Sequence, residues 1–303
     1  MERAPEAVKE SARRQDLTAE ALLLLVAFIW AGNYPIAKWG IAGLGVWVFN
    51  AIRFLVASLV LSVWFRYRGS WVPLRREDWR SFLRVGLVAS IIYQVAFVVG
   101  LSLTTAGNAA VILATAPLWT VFLQSRLHAE KIERTVWIGA VTSLCGITLI
   151  VIGSGKRLEL GSTALIGDLV TLAAAVLWAL NTNLQKPLVA RLPSLQVTLV
   201  MLLIGAVGLT LLAIPAAMTL SWADVSLASY GCALASGAFS IGVANAIWTF
   251  GVKRLGPGRT SNFQNLVPVL AFIISYFTLN EEIAPIHFVG AAVTIAGVWY
   301  ARR

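Results

Sequence analysis

Ten long apolar segments run through the sequence, and this pattern limits the possible folds more than any other feature. A helix needs about 20 residues to cross the hydrocarbon core of a bilayer. We number the segments 1 to 10; they cover residues 18–40, 44–65, 82–101, 107–125, 135–153, 163–185, 195–219, 226–250, 259–279 and 285–301. Strands of a membrane barrel would be shorter and would alternate apolar with polar residues. The sequence therefore predicts an all-α integral membrane protein with ten transmembrane helices.

Composition supports a bilayer as the environment. Hydrophobic residues make up 58% of the chain, charged residues only 13%, and the mean hydropathy is +0.79. Soluble domains are roughly half apolar and a quarter charged. The net charge of +10 could indicate nucleic acid binding in a soluble protein, but the cations here fall in loops between apolar segments. We therefore predict a lipid bilayer and no nucleic acid as partner.

The distribution of Lys and Arg predicts the orientation. Twenty of them lie in the N-terminal tail, in the loops after segments 2, 4, 6 and 8, and at the C-terminus, whereas the other loops hold only Lys156 and Arg157. Cytoplasmic loops are enriched in cations. Both termini are predicted to be cytoplasmic, with residues 1–17 as a cytoplasmic tail, in a bacterial-type cytoplasmic (inner) membrane. We call the side with twenty cations the cation-rich end.

The chain contains an internal repeat. Trp30 to Lys38 reads WAGNYPIAK and Trp178 to Lys186 reads WALNTNLQK, at an offset of 148 residues. At an offset of 151, Pro117, Glu130, Gly139 and Gly146 match Pro268, Glu281, Gly290 and Gly297. We expect two homologous halves, 18–153 and 163–301, with five helices each. Because five is odd, the second half should enter the membrane from the opposite side, as in many secondary transporters, around a central cavity.

These duplicated motifs resemble the paired EamA repeats of the drug/metabolite transporter superfamily, of the ten-helix type. The resemblance covers nearly the whole chain. It implies a basket of helices in which segments 1, 3, 4, 6, 8 and 9 line the cavity and segments 5 and 10 support it from outside. It also implies export of small metabolites, commonly amino acids. Within the superfamily the chain is similar to aromatic amino acid exporters of the YddG type.

Polar residues inside apolar segments should face partners or a wet cavity, because lipid cannot satisfy them. Trp30 with Asn33, and Trp178 with Asn181, share a helix face and offer an aromatic wall beside an amide. The candidate substrate-binding or cavity residues are Trp30, Asn33, Tyr34, Lys38, Tyr93, Gln94, Trp119, Trp178, Asn181, Asn245, Trp248, Asn262, Gln264 and Asn265. In the alternative interpretation, the amides tie helices together and the rings fill the core.

Three cations in or beside the segments have two interpretations each. Lys38 and Lys186 end the first segment of each half. They could act as gate or carboxylate contacts, or they could reach to the membrane interface. Arg53 is the deepest charge in the sequence and could pair with backbone carbonyls or attract an anionic group. At the offset of 148 its counterpart is Met201.

Helix-breaking and small residues also recur in both halves. Pro117 and Pro268 are predicted to lie mid-helix, where each removes a backbone hydrogen bond and acts as a hinge or shapes a static wall. Small residues follow one face of segments 5 and 10, namely Gly139, Ser143 and Gly146, and Gly290, Thr294 and Gly297. We expect close helix packing there.

The remaining side chains limit the chemistry. The Asp and Glu residues can all be placed in tails, loops or helix ends, which favours uniport or weak coupling over proton coupling. Cys145 and Cys232 predict neither a disulfide nor a metal site, and no cofactor is expected. An enzyme would need a nucleophile beside a base, or a pair of acids inside the membrane. The sequence shows neither arrangement. The favoured substrates are amino acids, above all aromatic or hydrophobic ones. Alternatives are another metabolite or drug-like compound, a nucleotide sugar or sugar phosphate, and a membrane enzyme; a monomer and a homodimer stay open.

Overall fold

The computed structural model describes residues 6–103, 112–153, 162–279 and 285–301. Every regular element in these ranges is helical. The α-helices are Glu6–Arg68, Arg76–Gly86, Tyr93–Leu103, Ala116–Leu127, Arg134–Gly153, Ser162–Arg191, Ser194–Thr219, Leu227–Ala235, Ala244–Asn262, Leu266–Leu279 and Pro285–Tyr300. Two π-helices, Leu87–Ile92 and Ser236–Val243, and two 3₁₀ turns, Trp222–Asp224 and Phe263–Asn265, connect some of them.

Six helical stretches in the described part are long and apolar enough to cross a membrane. They are Arg14–Ala37, Trp39–Arg68, Arg76–Phe97, Leu165–Arg191, Ser194–Thr219 and Leu227–Leu270. These stretches contain most of segments 1, 2, 3, 6, 7 and 8. Shorter apolar helices, Arg134–Leu149 and Pro285–Tyr300, correspond to segments 5 and 10. The all-helical membrane class predicted from the apolar segments agrees with this content.

Helix boundaries differ from the sequence prediction near the N-terminus. The first helix begins at Glu6, within the predicted tail, and continues through segments 1 and 2 to Arg68. Its direction changes at Gly45, where φ is 68° and ψ is 162°. Such a backbone conformation costs glycine little, because it has no Cβ. A kink at a single glycine thus replaces the loop expected between segments 1 and 2.

The two prolines lie near helix starts and not at mid-helix, which corrects the sequence prediction. Pro117 is the second residue of the helix Ala116–Leu127, which follows a turn at residues 114–115. Pro268 is the third residue of Leu266–Leu279, directly after the 3₁₀ turn Phe263–Asn265. Proline lacks a backbone N–H, which the first turn of a helix does not need. The chain therefore breaks the helix before each proline.

Segments 5 and 10 pack against each other through their small residues. A Cβ placed on Gly139 would lie 2.5 Å from the Gly297 carbonyl oxygen, and one on Gly146 would lie 2.6 Å from the Gly290 carbonyl oxygen. Ser143 Oγ also donates to the Thr294 carbonyl oxygen at 3.3 Å. Because the early residue of one helix contacts the late residue of the other, the two helices run antiparallel.

Other close contacts recur with the two halves exchanged. Gly86 packs on Ile204, and Gly237 packs on the backbone of Arg53. Gly237 also packs on the side chain of Val56. Gly86 and Gly237 are separated by 151 residues, and Val56 and Ile204 are separated by 148. A second exchange joins Gly100 to Thr171 and Gly251 to Leu23. Val56 and Ile204 thus keep the offset of 148, at which Arg53 corresponds to Met201.

The small-residue contact between segments 5 and 10 should not tolerate a methyl group. In Gly297→Ala the new Cβ would lie 2.6 Å from the Ser143 backbone nitrogen. Overpacking of this kind costs about 1–3 kcal/mol. We expect a lower thermal unfolding midpoint in detergent, measured by light scattering or intrinsic fluorescence. Gly231→Ala is the matched control, because nothing lies within 4 Å of its added Cβ; equal midpoints for the two variants would contradict the close packing.

Candidate functional site

Three tryptophans from segments 1, 6 and 8 meet inside the helix bundle. The ring centroids of Trp30 and Trp178 are 5.6 Å apart, those of Trp30 and Trp248 are 5.2 Å apart, and those of Trp178 and Trp248 are 5.6 Å apart. Trp248 is almost completely buried, with 1% of its surface exposed. The structure thus brings the two repeated tryptophans together and adds a third ring.

Two rings from segment 3 extend this group. Tyr93 lies 5.1 Å from Trp178 by ring centroids, and Phe97 stacks on Tyr93 at 6.0 Å. We call these five residues the aromatic cluster. Phe97 and Trp248 are counterparts at the offset of 151, and Trp30 and Trp178 are counterparts at 148. Each half therefore contributes equivalent rings, and Tyr93 is the member without an aromatic counterpart.

The indole N–H groups of the cluster differ in their partners. Trp30 Nε1 donates to the Ser240 carbonyl oxygen at 3.2 Å. Ser240 belongs to the π-helix Ser236–Val243, and such local widening of a helix is frequent at functional sites. Trp178 Nε1 and Trp248 Nε1 are buried and have no hydrogen-bond partner among the described residues. A buried unsatisfied donor costs about 1–3 kcal/mol, so an acceptor on a ligand would be favoured here.

Asn33 lies beside a crevice and apart from the indole donors. Ser236 Oγ donates to Asn33 Oδ1, which joins segment 1 to segment 8. The crevice between these segments has a volume of about 220 Å³, and exposed Phe28 and Phe239 stand at its edges. Its other lining residues are Ile29, Gly32, Asn33, Ile36, Ala235, Ser236 and Ser240. Asn33 is therefore next to the aromatic cluster but faces a separate opening.

Two predicted amides bond to the protein itself. Asn181 Oδ1 accepts a hydrogen bond from Gln185 Nε2 at 2.9 Å, and Gln185 Oε1 accepts one from Thr249 Oγ1 at 3.0 Å. Asn245 Nδ2 donates to the Ile241 carbonyl oxygen at 2.9 Å. Asn181 thus helps to connect segments 6 and 8, whereas Asn245 satisfies a carbonyl of the π-helix. For these two residues the geometry favours the helix-tying interpretation.

Three amides of segment 9 lie at the break before Pro268. Asn262 and Asn265 are buried, with 1% exposure each. Asn262 Oδ1, Gln264 Oε1 and both polar side-chain atoms of Asn265 are buried without a partner among the described residues. Phe263, between them, belongs to the same hydrophobic core as Trp248. These amides therefore place unused donors and acceptors in the core that holds the aromatic cluster.

The other predicted residues are not brought to the cluster by any described contact. The side chains of Tyr34 and Lys38 lie outside the described part of the structure. Gln94 is half-buried in segment 3. Trp119 Nε1 donates to Thr115 Oγ1 at 3.1 Å, and its ring packs on Phe122 at 6.4 Å. Within the described residues Trp119 thus contacts its own helix.

Lys186 forms an ion pair with Glu130 at the cation-rich end. Glu130 Oε2 also accepts a hydrogen bond from Gln124 Nε2 at 2.9 Å, and Gln124 Oε1 accepts one from the Gly258 backbone N–H at 2.7 Å. Hydrogen bonds from Lys186 and Gln124 lower the pKa of the Glu130 carboxyl. This network joins segments 4, 6 and 9 at one end of the bundle.

Further ion pairs connect the two halves at the same end. Three described pairs accompany Lys186–Glu130, namely Arg191–Asp78, Arg254–Asp16 at 3.6 Å and Arg259–Glu133 at 3.0 Å. In all four, the carboxylate lies among residues 16–133 and the cation among residues 186–259. Ion pairs therefore join the two halves at the cation-rich end.

Several buried polar residues were missed in the sequence. Asn183 Nδ2 donates to the Thr120 carbonyl oxygen at 3.0 Å, joining segment 6 to segment 4. Gln196 bonds both the backbone N–H and the carbonyl of Val72 and so fixes the loop after segment 2. Asn183 and Gln185 stand in the run NTNLQ beside Asn181. The density of amides in that run was the available signal, because lipid cannot satisfy them.

The model of the EamA-like transporter family matches residues 17–152 and 165–303, that is, two copies over most of the chain. The chain belongs to the EamA-like transporter family. This confirms the resemblance drawn from the duplicated motifs. The members of this family are membrane proteins, so this EamA-like transporter is an integral membrane protein.

Named relatives of this EamA-like transporter are also transporters. The "Probable terminal-alkyne amino-acid exporter" of Streptantibioticus cattleyicolor is 28% identical, over 93% of this chain and 92% of that protein. The "Uncharacterized transporter YyaM" of Bacillus subtilis is 29% identical, over 91% of each chain. A solved crystal structure superposes with a TM-score of 0.79 over 94% of this chain and 98% of that chain, at 18% identity. That superposition shows a shared fold.

The Glu130–Lys186 pair should contribute to stability in a pH-dependent way. Because the pKa of Glu130 is below its ordinary value of 4.5, the stabilisation is present above that value and is lost as the pH falls through the lowered pKa. Both side chains are partly exposed, so the contribution is about 1 kcal/mol or less. We expect Glu130→Gln to unfold at a lower temperature than the wild type at pH 7, and the difference to shrink in acid.

The exposed Glu77 provides the control for this measurement. Glu77→Gln should show no comparable difference from the wild type at either pH. A Glu130→Gln midpoint equal to that of the wild type at pH 7, or a difference that grows in acid, would contradict the assigned ion pair.

Proposed function

We propose that this EamA-like transporter exports small metabolites by alternating access, and that its substrates are amino acids with aromatic or hydrophobic side chains. The observation that carries the proposal is the aromatic cluster, which combines rings from both halves with two buried indole N–H groups that have no hydrogen-bond partner in the described part of the chain. The name of the Streptantibioticus relative, an amino-acid exporter, supports the substrate class.

The proposed architecture is ten transmembrane helices arranged as two inverted repeats of five. Two observations support it. Segments 5 and 10 run antiparallel, and contacts such as Gly86 with Ile204 recur with the halves exchanged as Gly237 with Val56. Reciprocal contacts of this kind follow from a two-fold relation between units. In inverted-repeat transporters the substrate lies near the midplane between the halves, and the aromatic cluster contains rings from both.

The chemistry of the site suits an amino acid. Indole faces of Trp30, Trp178 and Trp248 offer an apolar wall to a side chain and a favourable surface to an ammonium group. The N–H groups of Trp178 and Trp248, which have no partner among the described residues, can donate to carboxylate oxygens. The buried amide of Asn265 can both donate and accept, and the buried amide oxygen of Asn262 can accept. Only the five-residue cluster and these amides enter the proposal; Asn181 and Asn245 support the helices.

Transport requires the cation-rich end to open and close. We place both termini and this end in the cytoplasm, in a bacterial-type inner membrane, on the strength of the charge distribution. The ion pairs between the halves, including Lys186 with Glu130, would hold this end closed. An exporter takes its substrate from the cytoplasm, so these pairs must separate for loading and form again before release. Rocking of one half against the other provides that motion.

Other substrates remain as alternatives within the transporter class. The relatives do not limit the substrate to amino acids, and another small metabolite or drug-like compound would fit an aromatic wall. Nucleotide sugars and sugar phosphates require several cations for the phosphate groups, whereas Arg53 is the deepest cation of the sequence. No described side-chain arrangement favours an enzyme, and the relatives are named transporters.

Substitution of the repeated tryptophans should reduce transport. Trp30→Ala and Trp178→Ala each remove ring contacts worth about 1 kcal/mol beyond the buried area. We therefore expect each to slow efflux of the preferred amino acid from proteoliposomes by about tenfold or less, with normal insertion and expression. The panel is the twenty amino acids, offered singly as radiolabelled substrates.

Trp64→Ala is the matched control, because Trp64 is 39% exposed at the end of segment 2. If Trp30→Ala and Trp178→Ala move every amino acid as fast as Trp64→Ala does, the cluster is scaffold and the site assignment fails. If the wild type moves none of the twenty amino acids, the substrate class is wrong.

The placement of the Asp and Glu residues in tails, loops and helix ends predicts transport without proton coupling. The wild type in liposomes should equilibrate its amino acid down a concentration gradient at equal pH on both sides. Counterflow against preloaded unlabelled substrate measures this. Accumulation of several-fold driven by an imposed pH difference, with no counterflow at equal pH, would show coupling to protons.

A further inference from the structure

Arg53 is a buried cation in segment 2 with little of its hydrogen-bonding capacity in use. The residue is 9% exposed. Its Nη1 donates to Asn50 Oδ1 at 3.0 Å, and the guanidinium carbon lies 5.2 Å from the centroid of the Phe49 ring. Its Nε is buried and has no hydrogen-bond partner among the described residues. Arginine has five N–H donors, so most of the guanidinium donors of Arg53 have no partner among the described residues.

The charge of Arg53 lacks a counter-ion in the described structure. No described carboxylate lies within ion-pair distance of its guanidinium, although four cations at the cation-rich end all have one. Removing a cation from water without a compensating anion is strongly unfavourable. A neutral Gln or Leu at position 53 would be buried at a lower cost in free energy. Burying the Arg53 charge therefore costs the protein stability when no anion is bound, and a bound anion would offset that cost.

The surroundings of Arg53 connect it to the aromatic cluster. Tyr93 interacts electrostatically with the Arg53 guanidinium, and the centroids of the Tyr93 and Trp178 rings are 5.1 Å apart. The Arg53 backbone packs on Gly237, next to the Ser236 that bonds Asn33. The cation, a phenol and the indole wall thus follow one another across segments 2, 3 and 6.

We propose that Arg53 binds the carboxylate of the transported amino acid, while the aromatic cluster receives its side chain. This inference rests on the proposed function and adds a specificity-determining residue to it. The planar guanidinium matches a carboxylate with two parallel N–H donors. The ligand class is then a carboxylate on an apolar or aromatic body, and its carboxamide should be a poor substrate.

The asymmetry of Arg53 strengthens this assignment. Its counterpart in the second half, at the offset of 148, is Met201, which carries no charge. Two equivalent halves would offer a substrate two equivalent orientations, with Trp30 and Trp178 exchanged. A single cation in segment 2 selects one of them and directs the carboxylate to the side of Arg53.

Proteoliposome transport of L-phenylalanine and L-phenylalaninamide tests the assignment. The wild type should move the amino acid much faster than the amide. Arg53→Gln should slow the amino acid by roughly 10- to 100-fold, as expected for a lost charge-assisted bond, and should leave the amide nearly unchanged. Arg53→Lys should keep part of the preference. Arg66→Gln, an exposed cation on the same helix, is the matched control and should behave like the wild type.

Ligand-induced thermal stabilisation of the purified protein gives an independent readout. Phenylalanine and phenylacetate should both raise the unfolding midpoint of the wild type, the amide should not, and Arg53→Lys should reduce the shift. Inorganic phosphate is the competing anion, and stabilisation by phosphate alone would overturn the carboxylate assignment.

The two proposals fail differently. If the wild type transports amino acids and Arg53→Gln keeps the same preference for the carboxylate, Arg53 is not the carboxylate residue but the transport function stands. If the wild type moves none of the amino acids, the proposed function fails. In that case, stabilisation by phenylacetate that is equal in the wild type and Arg53→Lys would overturn the role of Arg53 as well.

Discussion

Close backbone contact between helices of the two halves is the constraint on which the rest of the structure depends. Inside a bilayer, helix association relies on tight packing and not on the hydrophobic effect. Glycines provide that packing here, with Gly139 on Gly297 and Gly237 on Arg53. Because these contacts recur with the halves exchanged, they also determine which positions meet between the halves. Trp30 therefore meets its own counterpart Trp178.

The part of the fold that depends on local pattern could be predicted from the sequence. Apolar length predicts helices, and the spacing of Gly139, Ser143 and Gly146 predicts a small face, because both properties depend on residues near one another in the chain. The repeated Trp-Ala-x-Asn segments predicted that Trp30 and Trp178 occupy equivalent positions. The structure adds that their rings are in contact.

Features that depend on distant partners could not be predicted in the same way. Asn181 could face either a ligand or Gln185, depending on the rotation of its helix, which the sequence does not determine. In the same way, only the packing of segments 1 and 8 brings Asn33 to its hydrogen-bond partner Ser236. The π-helices in segments 3 and 8 show no distinct residue signature, yet they lie at equivalent places in both halves. The ion pairs join residues more than fifty positions apart, such as Glu130 and Lys186.

The charged residues at the cation-rich end and Arg53 in segment 2 differ in what their charges cost in free energy. Ion pairs join the halves at the cation-rich end. Solvent can hydrate these charges when the pairs separate, so forming and breaking the pairs costs little free energy. Arg53, by contrast, is buried, and its charge is costly without an anion. A substrate carboxylate would offset that cost only while it is bound between the halves. Binding would thereby favour the closed arrangement of the aromatic cluster over an open one.

The central claim is that the two halves span the membrane in opposite directions. Single cysteines at the exposed Ser70 and Ser221, in a chain with Cys145 and Cys232 replaced by alanine, test it most directly. These positions follow segments 2 and 7, which are equivalent in the two halves. With a membrane-impermeant maleimide on intact cells, Ser221→Cys should react from outside, and Ser70→Cys should react only after the membrane is opened. Labelling of both positions from the same side would contradict the inverted arrangement, and with it the site shared by the two halves.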